Sequence, residues 1–119
     1  MKVIVVGAKD FDDEILLTRS LKSLFSKWED KRPEIIVKGN KGTAKITKKW
    51  GLDNYYKIHI FHPQTKESPF EELNAEIVDW CEMEDWCIVF HDNRCKENKD
   101  LIDKAVKRGL VVEIISYKD

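Results

Sequence analysis

Two short stretches of this chain, Val3-Ile4-Val5-Val6 and Cys87-Ile88-Val89-Phe90, are apolar at every position. A strand with one face in water alternates apolar and polar residues. An unbroken apolar run of this length suits a strand covered on both faces. Trp86 extends the second stretch, and three more runs have strand length: Glu34 to Val37, Tyr55 to Phe61 and Val111 to Ile115. Tyr55-Tyr56-Lys57-Ile58-His59-Ile60 alternates, which places it near a sheet edge.

Between these runs the apolar period becomes helical. Leu17, Leu21, Leu24 and Trp28 share one helical face behind Asp12, the expected N-cap. Thr43 to Trp50 predicts a shorter helix, with Ala44, Thr47 and Trp50 facing inward and Gly51 as its C-terminal stop. Ser68-Pro69 predicts a third start, Ser as N-cap and Pro in the first turn, ahead of the stripe Leu73, Ile77 and Trp80. Leu101, Ala105 and Val106 mark a fourth helix that ends at Gly109.

The resulting order, β-α-β-α-β-α-β-α-β, predicts one α/β domain over residues 1–119. It would hold a five-stranded, mostly parallel, Rossmann-like sheet with helices on both faces. A chain of 119 residues has room for one core, and 42% apolar side chains are enough to fill it. Basic and acidic side chains number 21 and 22, a net charge of −1, so no general pull toward nucleic acid or membrane is expected. The charge is locally uneven. Lys38, Lys41, Lys45, Lys48 and Lys49 have no acid among them, and Glu67, Glu71, Glu72, Glu76, Asp79, Glu82, Glu84 and Asp85 have no base. Two solvated helical faces of opposite sign explain this, or else the lysine segment attracts an anion.

Cys81, Cys87 and Cys95 make an odd count without a C-x-x-C pair, which suits free thiols in a reducing compartment. The N-terminal apolar run is too short for a signal peptide or a membrane span, so the cytosol is the expected location.

In a parallel sheet of this kind, ligands bind outside the carboxyl ends of the strands. The loop Gly7-Ala8-Lys9-Asp10-Phe11 follows the first strand; its glycine permits a tight turn and its lysine suits a phosphate. Lys38-Gly39-Asn40-Lys41-Gly42-Thr43 follows the second strand and opens a helix. Two glycines, lysines and the amides of a helix start suit an anion. Neither a Walker A loop nor G-x-G-x-x-G is present.

Four segments together resemble the SLOG superfamily, which contains the DprA/SMF proteins and the lonely-guy phosphoribohydrolases, and most of all its small YspA-like branch. Val5-Val6-Gly7-Ala8-Lys9-Asp10-Phe11 is similar to that branch's strand and G-x-R-x-F. Lys38-Gly39-Asn40-Lys41-Gly42-Thr43-Ala44 is similar to its G-G-A-x-G-A-D turn, and Leu73-Asn74-Ala75-Glu76-Ile77 to its R-N-x-x-M segment. Val89 to Asn98 is similar to its F-x-D-G-x-S-x-G-T loop. Lys38, Ala44, Leu73, Asn93, Cys95 and Glu97-Asn98 depart from the pattern, and the P-G-G-x-G-T-x-x-E signature of the phosphoribohydrolases is missing.

The resemblance implies a non-catalytic binding domain for a nucleotide or nucleotide-derived ligand. Gly7, Lys9, Gly39, Asn40, Lys41, Gly42 and Thr43 would hold the phosphate end, and Asn74 the sugar or base. Phe11 or Phe90 would flank the base, and Asp92 belongs to the same group of loops. No cofactor is implied. A second class of reading is a ligand-free derivative that binds another protein, of the phage or mobile-element accessory type; a homo-oligomer is compatible with it. A third is an N-glycosidic hydrolase using Asp10, Asp92, Glu97 or Asp100. His62, His91 and Cys95 are metal-capable, and a Cys95–His91–Asp92 arrangement could be nucleophilic, but ordinary loop roles suit them better.

Overall fold

The structure, a computed structural model, describes residues 1–39 and 41–117. All five strands form and lie parallel in the order β3-β2-β1-β4-β5: β1 (Lys2–Gly7), β2 (Glu34–Lys38), β3 (Ile58–Phe61), β4 (Trp86–His91) and β5 (Val111–Ser116). The helices are α1 (Glu14–Phe25), α2 (Thr43–Asp53), α3 (Phe70–Trp80) and α4 (Lys96–Arg108). The fully apolar runs are the central strands β1 and β4. Val3 and Val5 face a core closed by Leu17, Leu21 and Phe25 of α1 and Ala44 of α2. Ile4 and Val6 face the opposite core, closed by Leu73 and Ile77 of α3 and Leu101 and Ala105 of α4. This is the Rossmann-like arrangement that the alternation predicts. Among the described residues, no helix is long and apolar enough to cross a membrane.

The chain winds outward from β1 to β2 and β3, then returns to place β4 on the other side of β1. Strand order therefore reverses between β1 and β4. The loops after these strands leave toward α1 and α4, on opposite faces of the sheet.

Local signals are offset in instructive ways. Asp13, not Asp12, caps α1, its carboxylate accepting from the Leu16 amide at 2.9 Å. Trp28 extends the apolar face but sits in a separate 3₁₀ turn, Ser26–Trp28. Strand β3 starts three residues later than its apolar run. Tyr55 has φ +64°, a left-handed conformation no strand accepts, and Arg32 ties the carbonyls of Asn54 and Tyr55 into a turn. Tyr56 instead stacks on Trp50. Ser68 does not cap α3; its hydroxyl accepts from the Thr65 amide in the preceding turn, and Pro69 holds the N-cap position. Gly109 ends α4 at φ +90°, as its position suggests, while Val106 faces outward.

Gly51 is a packing residue rather than a stop. Helix α2 continues through it to Asp53, and a Cβ there would lie 2.5 Å from Ile58 Cδ1 and 3.1 Å from Ile35 Cδ1. Its missing side chain lets α2 lie close on β2 and β3. Gly51→Leu is expected to destabilise the fold by about 1–3 kcal/mol through overpacking. Gly51→Ala is expected to cost less, because gained helix propensity offsets the displaced methyls. Urea denaturation of the two variants beside the parent measures both.

Candidate functional site

A cleft of about 180 Å³ opens at the carboxyl end of the sheet, above β1 and β2. Gly7, Ala8 and Lys9 form one wall, Lys38, Lys41, Gly42 and Thr43 another, and Glu97 and Asn98 of α4 close it. Two helix N-termini meet there, those of α2 and α4. Neither is capped by a side chain, in contrast to α1. Uncapped N-termini present amide donors and the positive end of the helix dipole.

Two buried side-chain atoms on this wall have no hydrogen-bond partner among the described residues, Thr43 Oγ1 and Asn98 Nδ2. A buried polar atom left unpaired costs about 1–3 kcal/mol. Gly7 makes room for the first of them. A Cβ at Gly7 would meet Thr43 Oγ1 at 2.0 Å, so β1 and α2 approach this closely only with glycine there. Gly42, at φ +57°, sets the turn that points α2 into the cleft.

The central cation is Lys38, the last residue of β2. Its side chain is only 14% exposed, and its Nζ donates to Asn74 Oδ1 at 2.7 Å. Glu97 Oε2 lies 3.7 Å away. Burial pulls the Lys38 pKa down from the usual lysine range, and the Glu97 carboxylate opposes that fall. Lys38 belongs to the lysine segment that suits an anion, but its departure from the family turn kept it out of the expected phosphate-binding set. The available signal was a lysine closing the buried apolar run Ile35 to Val37.

Asn74 is fully buried and is not among the residues that line the cleft. Beside accepting from Lys38, its Nδ2 donates to the Glu97 carbonyl at 3.0 Å and to Asp100 Oδ2 at 3.0 Å. It positions Lys38 and ties β2, α3 and α4 together. Burial raises the Asp100 pKa, but hydrogen bonds from Lys104 and Asn74 more than reverse this, and the carboxyl ends below its ordinary value.

Gly7, Lys9, Lys41, Gly42 and Thr43 thus come together as expected. Gly39, at φ +72°, borders a neighbouring cavity, and Asn40 lies outside the described residues. Phe11 and Phe90 do not line the cleft: both are buried and stack on each other, centroids 4.8 Å apart. Asp92 also stays out of it. Its carboxylate accepts from the Arg94 and Cys95 amides at 2.8 Å each, which lowers its pKa and closes the loop before α4. Asn93 in that loop has φ +68°, a conformation asparagine tolerates better than most side chains.

His91 and Asp92 are 4.0 Å apart, too far for an orienting hydrogen bond. His62 follows β3, three strands away from β4 in the sheet, and no metal-binding cluster of His, Cys, Asp or Glu forms among the described residues. Burial pushes the thiols of Cys81 and Cys87 up, to about 11 and about 12. A thiol-reactive disulfide reagent at pH 8 is expected to titrate Cys95 alone in the native protein and all three cysteines in denaturant. Stopped-flow absorbance on the parent and Cys95→Ser reads this directly.

No protein-family model, no curated protein and no solved structure matches this chain.

Proposed function

We propose that the cleft binds the phosphate end of a nucleotide or nucleotide-derived ligand, as a binding site rather than a catalytic one. The observation that carries this is the pair of buried, unpartnered atoms, Thr43 Oγ1 and Asn98 Nδ2, between two uncapped helix N-termini. A phosphate oxygen accepts from a hydroxyl and from an amide nitrogen, and Lys38, Lys41 and Lys9 supply charge on the same walls. The resemblance of the glycine-lysine turn to nucleotide-binding relatives points the same way.

Binding without cleavage is favoured because the nearby carboxylates are already engaged. Asp10 accepts from the Tyr117 hydroxyl, Asp92 closes its own loop, and Asp100 is held by Asn74 and Lys104. Glu97 is the acid on the cleft wall, and it faces a lysine.

Thr43→Val separates this reading from a purely structural one. The change removes an orphaned hydroxyl, so the melting temperature is expected to hold or rise. Affinity for inorganic phosphate and for nucleoside monophosphates is expected to fall roughly tenfold, the value of about 1.4 kcal/mol. Calorimetric titration and thermal melts of the same samples test the pair of outcomes. Unchanged affinity, or no binding by the parent, rejects the reading.

One observation favours the second class, a protein-binding role. Strand β5 is a sheet edge whose Val111 and Ile114 are 40% and 47% exposed, and it carries no lysine, arginine or proline. Such edges invite pairing. A second copy is the simplest occupant, since two-fold pairing satisfies both edges alike. If so, light scattering is expected to give a dimer mass that Ile114→Lys returns to the monomer.

A further inference from the structure

A second cavity, of about 480 Å³, lies beside the cleft on the α3 side. Its walls include Pro63, Pro69, Phe70 and Leu73, with Lys66 and Ser68 at polar positions. Lys38 and Glu97 line this cavity as well as the cleft. Their ion pair is therefore the partition between the two spaces.

The Glu97 side chain is 55% exposed, lies in the first turn of α4 and pairs with Lys38 at 3.7 Å. The carboxylate lines the cleft beside Lys38. It neutralises Lys38 and lies at the positive end of α4. Lys38, by contrast, is fixed from behind by Asn74. One partner of the pair is anchored and the other is free to turn into solvent.

We propose, building on the phosphate reading of the cleft, that Glu97 is a displaceable internal anion, and that its departure joins the two cavities into one site for a phosphorylated ligand with a planar ring. The phosphate then takes the place of the carboxylate beside Lys38, Thr43 and Asn98. The ring enters the second cavity against Phe70 and Pro69, whose faces suit stacking with a heterocycle. The cleft alone, at about 180 Å³, is below the roughly 300–1,000 Å³ of usual small-molecule sites, so a phosphorylated ligand with a ring needs the adjoining 480 Å³ as well. Phe11 and Phe90, stacked on one another in the core, offer a ligand ring no exposed face.

Calorimetric titration of the full chain with inorganic phosphate, ribose 5-phosphate and AMP tests this, on the parent, Glu97→Gln and Phe70→Ala. Glu97→Gln is expected to bind inorganic phosphate roughly fivefold more tightly, the upper value for releasing an exposed ion pair. AMP is expected to bind the parent more than tenfold better than ribose 5-phosphate. Phe70→Ala is expected to remove most of that preference and leave phosphate affinity unchanged. Phe70→Leu, which keeps apolar volume without the ring, replaces it if the alanine variant melts early. Unchanged phosphate affinity in Glu97→Gln, with affinity still lowered in Thr43→Val, overturns the displacement and leaves the phosphate cleft standing. Equal affinities for AMP and ribose 5-phosphate overturn the ring subsite. Absence of phosphate binding in both parent and Glu97→Gln overturns the cleft and this inference together.

Discussion

The side-chain amide of Asn74 holds three elements at one buried point. Its oxygen accepts from Lys38 at the end of β2, and its nitrogen donates to the backbone and side chain of α4 at Glu97 and Asp100. Burying a lysine ammonium is expensive unless it is hydrogen-bonded and countered by charge. Asn74 and Glu97 satisfy those two needs, and this fixes where α4 begins relative to β2. The position of the α4 N-terminus, and with it the far wall of the cleft, follows from that arrangement.

The fold was legible because its strongest signals are redundant. Val3 to Val6 and Cys87 to Phe90 lack any polar position, and these are the strands with a helix layer on each face. What the pattern missed were boundaries decided by single backbone conformations. Tyr55 belongs by composition to a strand, yet its left-handed φ, held by Arg32 from a distant turn, ends that possibility. Gly51 looks like a helix terminator by residue type. Only the proximity of Ile58 and Ile35, from two other strands, shows that closeness of packing is its purpose.

The site was legible where a residue's type determines its role locally. Gly7, Gly42 and Thr43 sit at strand-to-helix turns, and turn geometry alone brings them to the cleft. It was illegible where the role depends on partners far along the chain. Asn74 was expected to contact a ligand because Leu73-Asn74-Ala75-Glu76-Ile77 resembles the family's third-helix segment. Its partners are 36, 23 and 26 residues away, and they take both of its amide donors and one of its two acceptor sites. Phe11 and Phe90 each flank a pocket-side loop, but their mutual stacking turns both into the core.

The strand order has a consequence for how the chain comes to be folded. β1 is the third strand of the sheet in space and the first to leave the ribosome. One of its edges pairs with β2, only about one helix later, but the other pairs Val3 with Trp86 and Gly7 with Phe90. Until residues 86–91 emerge, the most apolar strand keeps an open edge of backbone donors and acceptors, and α4, part of the cover on its second face, is still missing. Long-range parallel pairings of this kind form slowly and expose such edges meanwhile. The nascent N-terminal half, with β1, β2 and β3 already made, is therefore the stage at which this protein most needs to be kept from other chains.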